Sequence, residues 1–393
     1  MYQKNIWKDA DATKTEKITA FCEDYKKFLS YAKTERLAVE ETERIAREHG
    51  FKKFDEVKEI KAGEKIYFIN KNKNVILYRM GKKPLSEGMR ILGAHIDSPR
   101  LDLKQNPLYE SEGFALFDTH YYGGIKKYQY VTTPLAIHGV VCKKDGTTVK
   151  VNVGECDDDP ILGISDLLIH LSQKQLTATA DKVVEGENLD VTVGSIPLNG
   201  EDDEPVKKNI LKIFKDKYGV EEDDFASAEL EIVPAGKARD YGLDRSMIAS
   251  YGHDDRVCAY TSLIALLDSD TEDYTACCVL VDKEEIGSVG ATGAASVFFE
   301  NTVAELLVKS GDTNYLSRIK ALENSYALSS DVNAALDPLF KEVASKNNVA
   351  RFNYGIVFEK YTGARGKSGA SDANPEYIAI LRKAFDDGNI HFQ

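Results

Sequence analysis

Apolar residues recur at helical spacing over residues 15–31, where Ile18, Phe21, Cys22, Tyr25, Phe28 and Leu29 share one stripe. The pattern predicts an amphipathic helix whose aromatic face belongs to a core. A second helix is expected over 35–49, stopped at Gly50, a residue type suited to the position after a helix end. The period then changes to two. Residues 65–70 and 74–80 read as strands joined by the hairpin Lys71-Asn72-Lys73, and a strand over 89–95 closes on His95.

From 105 to 238 the texture is one of short strands and turn residues with two helices between them. Strands at 135–141 and 147–153 flank the turn Lys143-Lys144-Asp145-Gly146. Ser165 is placed to cap a short helix carrying Leu167, Leu168 and Leu171. A longer helix over 205–218 opens with Pro205 and ends at Gly219. From 246 the alternation of strand and helix returns: an apolar lead-in at 247–251 and a helix over 257–267. A near-continuous apolar strand at 274–281 follows, the mark of burial on both faces. Gly287, Gly290 and Gly293 then open a helix rich in alanine and phenylalanine, with strands at 326–330 and 354–358 and a helix over 374–385. The expected fold is α/β. A discontinuous domain, 1–104 with 239–393, is interrupted by an inserted β-rich second domain, 105–238.

A chain of 393 residues is long enough for two such cores. With 42% hydrophobic and 29% charged residues it has the composition of a soluble globular protein, and no run reaches the ~18 apolar residues that span a membrane. The polar start, Met1 to Thr13, carries no secretory signal. The six cysteines form no C-x-x-C pair, so reduced core thiols and a cytoplasmic location are expected. A net charge of -13 argues against nucleic acid as a partner, and any acidic substrate must be attracted locally against the global field.

The candidate chemistry starts at Gly93-Ala94-His95-Ile96-Asp97-Ser98-Pro99, where an apolar run ends in a histidine and an aspartate follows two residues later. Alone, a histidine at a strand end is a common structural residue. Three later stretches repeat the arrangement with acids at the ends of apolar runs: His253-Asp254-Asp255-Arg256, Asp282-Lys283-Glu284-Glu285 and Ser329-Ser330-Asp331. Open α/β sheets build their sites outside the carboxyl ends of their strands, so these residues can converge. One imidazole with several carboxylates suits zinc first, with cobalt and manganese as alternatives.

Two divalent ions need a bridging carboxylate and further ligands on each ion. Asp254 is read as the bridge, His95 and Asp331 complete one site, and Glu285 serves the other. Glu284 adjoins a ligand yet is free to act as general base, and Asp97 stands behind His95 to orient its ring. Taken singly, Glu284-Glu285 reads as a solvated turn and Asp254-Asp255 as a helix start, so the reading rests on the joint pattern. Other motifs carry less. The acidic runs 157–159 and 201–204 lack calcium-loop spacing, and the glycines at 287, 290 and 293 do not make a dinucleotide fingerprint. Gly366-Lys367-Ser368 lacks the glycine a phosphate loop needs, Tyr361 standing there instead. Gly363, Gly366 and Gly369 suit a mobile loop beside a site.

The stretches G-A-H-I-D-S-P-R-L-D-L at 93–103, H-D-D-R at 253–256, D-K-E-E-I-G-S at 282–288 and S-S-D-V-N at 329–333 resemble the M18 metallopeptidases, the aspartyl aminopeptidase family. The resemblance runs across essentially the whole chain. It implies a doubly wound α/β/α sandwich as catalytic domain and a β-rich insert used for dimerisation, with dimers assembling to a dodecamer. The implied reaction removes an unblocked N-terminal residue from peptides, acidic residues being preferred. Position by position, the metal ligands fall on His95, Asp254, Glu285 and Asp331, the base on Glu284, the orienting aspartate on Asp97, and a substrate-side lysine on Lys360.

Two departures are visible. The family's further histidine ligand lies near its C-terminus, whereas this chain ends at Gln393 and its late His391 falls in the strand expected before that region. The second metal is therefore expected to lack one ligand in this chain. Asp166 stands where some relatives place a histidine that reaches a neighbouring subunit's site, and an aspartate there would repel an acidic side chain. The competing readings are a related aminopeptidase with neutral-residue preference and a non-catalytic scaffold or cargo-binding shell. Loss of Glu284 or of the ligands would favour the shell; Glu284 and the four ligands named above are present, and the missing C-terminal segment is the one feature that favours it.

Overall fold

The computed structural model describes residues 4–270, 273–361 and 371–393. The Gly366-Lys367-Ser368 stretch and its flanking glycines lie outside the described residues. The chain divides into two compact units, one of residues 24–331 and one of residues 1–23 with 332–393.

The larger unit is built on two six-stranded sheets. The first runs in the order Lys52–Lys53, Lys65–Asn70, Asn74–Arg79, Thr275–Val281, Met89–His95, Tyr326–Ser329. Its last three strands are parallel, with Val281 opposite His95 and Ser329 opposite Gly93. Because strands alternate their side chains, the sheet presents two apolar faces. Tyr67, Val75, Leu77, Cys278 and Leu280 face a layer formed by Tyr25, Phe28 and Leu29 of helix Ala12–Tyr31, Val39 of Glu35–Glu48, and Tyr260 and Leu263 of His253–Asp268. Ile66, Phe68, Ile76, Tyr78 and Cys277 face Val303, Leu306 and Ala321 on helices Phe298–Lys309 and Tyr315–Glu323. Each large apolar side chain so buried contributes about 1.5–3 kcal/mol. The result is the α/β/α sandwich implied by the motif resemblance.

The second sheet is antiparallel, in the order Thr148–Val153, Leu135–Cys142, Ala228–Pro234, Arg100–Ser111, Phe114–Tyr122, Val191–Gly194. Helix Pro205–Tyr218 lays Val206, Ile210 and Phe214 on it, and Gly219 ends that helix in the left-handed conformation. The strand Arg100–Ser111 begins where the Gly93–Pro99 motif stops, so the second sheet starts directly beside the chemistry-bearing turn.

Buried ions tie this sheet to the helices. Glu155 accepts from His138 Nε2 at 3.1 Å and from the Gly236 amide at 3.0 Å, with Lys33 Nζ at 3.8 Å. Burial alone would raise its pKa; the His138 hydrogen bond, the Lys33 charge and the Gly236 amide outweigh burial and hold it below the ordinary carboxyl value. A depressed folded pKa means stability that is present above the unfolded value and lost as pH falls through the folded one. Glu155→Gln is therefore expected to cost about 1–3 kcal/mol at pH 7, the range for leaving buried hydrogen-bonding groups poorly satisfied, with the deficit shrinking on acidification below the ordinary carboxyl range. Urea unfolding of both proteins across that range checks this, and a deficit independent of pH counts against it.

Three sequence expectations fail locally. No helix starts at Ser165; the chain there is irregular and turn-like until a short helix, Gln173–Leu176. Leu168 and Leu171 remain 61% and 67% exposed, so the helical period has no apolar surface to bury against. The helix expected at Gly287 begins only at Phe298, because Gly287, Ser288 and Gly290 all take positive φ, which an α-helix excludes. The strand expected at 354–358 is reduced to one bridge between Ile356 and Phe392.

In the smaller unit Asn374 caps helix Pro375–Asp387 by accepting from the Tyr377 amide at 2.7 Å. Phe385 of that helix packs with Phe358 and Phe392 at ring separations of 5.1 and 5.7 Å. No helix among the described residues is long and apolar enough to cross a membrane.

Candidate metal centre

Register assembles the site. With Val281 opposite His95 and Ser329 opposite Gly93, the turns 282–285 and 330–331 leave the sheet on either side of His95. Adjacent strands are about 4.8 Å apart, so side chains from these ends reach a common point. Helix His253–Asp268 supplies the fourth contribution. Its first residues, Asp254 and Asp255, are non-helical, and their peptide bond is cis. Gly252 opens that turn at φ +85°, and a Cβ there would lie 2.0 Å from Arg256 Nη1. Arg256 is buried and donates from Nε to the Ile96 carbonyl at 3.1 Å, which locks the start of the helix against the His95 strand.

His95 is 3% exposed. Its Nδ1 lies 3.1 Å from the Asp97 carbonyl and 3.2 Å from Asp97 Oδ1, both acceptors, so Nδ1 carries the proton. Nε2 then points at Asp254 Oδ1 at 3.1 Å, Asp331 Oδ1 at 3.7 Å and Glu284 Oε2 at 3.8 Å. The Asp254 approach is within ion-pair distance but misaligned for a hydrogen bond, and Nε2 is a buried nitrogen without a hydrogen-bond partner. One Glu285 oxygen is buried and unpartnered as well. His95, Asp254 and Glu285 offer ligand atoms within 4.8 Å of one another, as do His95, Glu284 and Asp331.

Asp97 has no exposure. Besides His95 it accepts the Glu284 amide on Oδ1 and the Glu285 amide on Oδ2, each at 3.2 Å, and the Tyr122 hydroxyl on Oδ2 at 2.8 Å. Burial opposes its charge, but His95 and Tyr122 hold its pKa below the usual carboxyl value. The other carboxyls are pushed the opposite way. Burial and then Asp254 raise Glu285 to about 7, burial raises Asp255 to about 7, and burial raises Glu284. Burial would depress His95, yet the surrounding Asp254, Asp331 and Asp97 push it up to about 12. Such a crowd of carboxylates around one imidazole is short of positive charge, which a divalent cation displacing the His95 proton would supply. The orphaned Nε2 and the hard oxygen donors facing it fit zinc or a similar ion.

All the ligand candidates read from the motifs, His95, Asp254, Glu285 and Asp331, stand together with Glu284 and Asp97 in the larger unit. Lys360 is exposed and belongs to the smaller one. His391 lies there too, its Nε2 3.9 Å from Asp9. His253 is structural: Tyr25 donates to its Nδ1 at 2.9 Å and its Nε2 donates to the Ile248 carbonyl at 3.0 Å. Tyr122 and the buried Asp255 also stand at the centre, and neither carries a role in the motifs. Asp255 was legible as the second acid of its pair, whereas no local signal marks Tyr122.

A sequence model of the family described as aminopeptidase I zinc metalloprotease (M18) matches residues 28–393. The probable M18 family aminopeptidase 1 of Clostridium acetobutylicum is 54% identical over 395 residues, covering 99% of this chain and 85% of that protein. The crystal structure of an M18-family aminopeptidase from Thermotoga maritima superposes with a TM-score of 0.96 at 43% identity, covering 100% of this chain and 86% of that one. The yeast mApe1 dodecamer shares the fold at a TM-score of 0.75 and 21% identity, over 94% of this chain and 84% of that one.

Proposed function

Because the chain belongs to the M18 family of zinc metallopeptidases, we propose that its acidic cluster holds two divalent ions and removes the N-terminal residue of peptides with a free amino terminus. Family membership makes it a zinc aminopeptidase; the proposal concerns the ion count, the residue roles and the substrate. The observation that carries it is the buried, unpartnered His95 Nε2 aimed at Asp254, Asp331 and Glu284.

In this reading His95 and Asp331 would hold one ion and Glu285 the other, with Asp254 as the ligand they would share. Bound there, divalent ions would supply Lewis-acid polarisation of the scissile carbonyl and would acidify the attacking water. Glu284, half-exposed toward the site and raised in pKa by burial, is suited to take the water's proton and hand it to the leaving amine. Asp97 keeps the His95 proton on Nδ1 and turns Nε2 toward the carboxylates.

Substrate preference divides two ways. Lys360 would pair with an acidic side chain, whereas the net charge of -13 and the exposed Asp166 disfavour one and support a neutral preference. We also propose residues 105–238 as an inserted domain that mediates self-association, with 1–104 and 239–393 forming the catalytic domain. The exposed Leu167, Leu168 and Leu171 and the dodecamer formed by yeast mApe1 support that assignment. The six free cysteines suit a cytoplasmic setting.

The test is metal content per chain alongside hydrolysis of aspartyl, glutamyl and leucyl p-nitroanilides by the full-length protein. Near two ions per chain with turnover is the expected result, and the ranking of the three substrates decides the preference. Two ions without turnover on any substrate would favour the scaffold reading. No bound ion after adding zinc or cobalt would overturn the site.

A further inference from the structure

We propose that Tyr122, carried by the second sheet, is a positioning residue of the metal centre and acts through Asp97. The inference rests on the reading of His95, Asp254, Glu285 and Asp331 as metal ligands.

An ionised carboxylate offers about four acceptor sites. Asp97 fills them with donors from three separate parts of the chain. His95 Nδ1 and the Glu284 amide share Oδ1; the Glu285 amide and the Tyr122 hydroxyl share Oδ2. Asp97 therefore fixes the ring that presents Nε2 and, at the same time, the backbone turn that presents Glu284 and Glu285. Of its four donors, the Tyr122 hydroxyl makes the shortest contact, 2.8 Å against 3.2 Å for each of the others. Removing it frees the carboxylate to rotate away from both sets of partners.

Tyr122 is itself held. The Arg100 guanidinium lies 3.9 Å from the centre of its ring. Arg100 is in turn fixed by Glu35 at 3.1 Å, Asp102 at 2.7 Å and Glu231 at 3.1 Å. A guanidinium with so many partners has little freedom, so the phenol it covers has little as well. The next residue adds a steric stop: a Cβ on Gly123 would lie 3.2 Å from Glu285 Cβ and 3.4 Å from Pro99 Cβ, so the strand end abuts the ligand turn directly. The second sheet thereby acts as a rigid backing of a centre whose ligand candidates come from the strand ends of the first sheet and from the start of helix His253–Asp268.

Two other tyrosines give the contrast, and one of them, Tyr130, serves as the control. Tyr130 and Tyr251 each donate to the Pro99 carbonyl, at 3.1 and 3.0 Å, bracing the same turn without touching the carboxylate.

The experiment measures zinc affinity by competition with a chromophoric chelator, together with the melting temperature of the metal-free protein. The proteins are wild type, Tyr122→Phe, Asp97→Asn, the double variant and Tyr130→Phe. Tyr122→Phe is expected to weaken zinc binding roughly tenfold, the low end for outer partners of metal ligands, and to melt metal-free much as Tyr130→Phe does. Tyr130→Phe should leave zinc affinity unchanged. In the Asp97→Asn background Tyr122→Phe should cost nothing further, because its route is already cut. Wild-type zinc affinity in Tyr122→Phe, or losses that simply add in the double variant, would overturn the inference and leave the metal reading standing. A wild-type protein that binds no zinc would overturn both.

Discussion

Glu284→Gln is expected to lower kcat by about 10²–10⁴-fold while the protein keeps its full metal content. The substitution preserves shape and removes only the ability to accept a proton. Glu284 lies in the turn fixed by Asp97, its amide donating to Oδ1 at 3.2 Å, so the backbone has no reason to move. The measurement also separates two roles that geometry leaves adjacent. Glu284 Oε2 is 3.8 Å from His95 Nε2, nearly the same as the 3.7 Å of Asp331, so distance alone admits it as a ligand. A ligand replaced by an amide would lose metal together with activity; a base would lose activity only. KM should change little, since the side chain is invoked for proton movement rather than substrate binding. Elemental analysis beside steady-state kinetics reads both quantities from one preparation.

His95→Ala is expected to have the other large effect: metal affinity falling by at least about 100-fold, beyond the loss typical of outer partners, with turnover lost alongside. His95 is the lone imidazole among Asp97, Asp254, Glu284, Glu285 and Asp331, and its Nε2 faces three of those carboxylates directly. Without it the carboxylates confront one another across the space the ring filled. Repulsion then favours protonating them over gathering them round an ion. The contrast between the two variants is diagnostic: one retains metal without turnover, the other retains neither. Near-normal zinc binding by His95→Ala would place the ions elsewhere.

The consequence for Asp97 is less direct. It touches no substrate in the proposed mechanism, yet it carries His95, the Glu284–Glu285 turn and Tyr122 on two oxygens. A single carboxylate with that many dependants couples ring orientation to turn position, so small changes at the second sheet are transmitted to the centre.

Much of this protein was determined by its sequence alone. A helical-period stripe specified the helix Ala12–Tyr31, end signals specified Glu35–Glu48 and Pro205–Tyr218, and period-two or wholly apolar runs specified Met89–His95 and Thr275–Val281. The chemistry was legible for the same reason: His95, Asp282 to Glu285 and Asp331 follow strands, and strand ends are where an open sheet can gather polar groups. Local pattern failed where the outcome depends on distant surfaces. Leu167, Leu168 and Leu171 have helical spacing, but spacing yields a helix only if something apolar lies beneath it, and among the described residues these side chains stay exposed. The positive φ angles at Gly287, Ser288 and Gly290 delay the next helix to Phe298.

What only the tertiary structure decided is the register and the backing. Val281 opposite His95 and Ser329 opposite Gly93 are facts of strand pairing, set by how side chains pack on two faces at once; they bring Glu284, Glu285 and Asp331 to His95, and the packing of helix His253–Asp268 adds Asp254. Tyr122 reaches Asp97 because the antiparallel pairing of Phe114–Tyr122 with Arg100–Ser111 returns the chain to where that strand began, with Tyr122 opposite Arg100. A hydroxyl that acts from a neighbouring sheet leaves no period and no spacing in the sequence. It becomes visible only when hydrogen bonds between residues far apart in the chain can be measured.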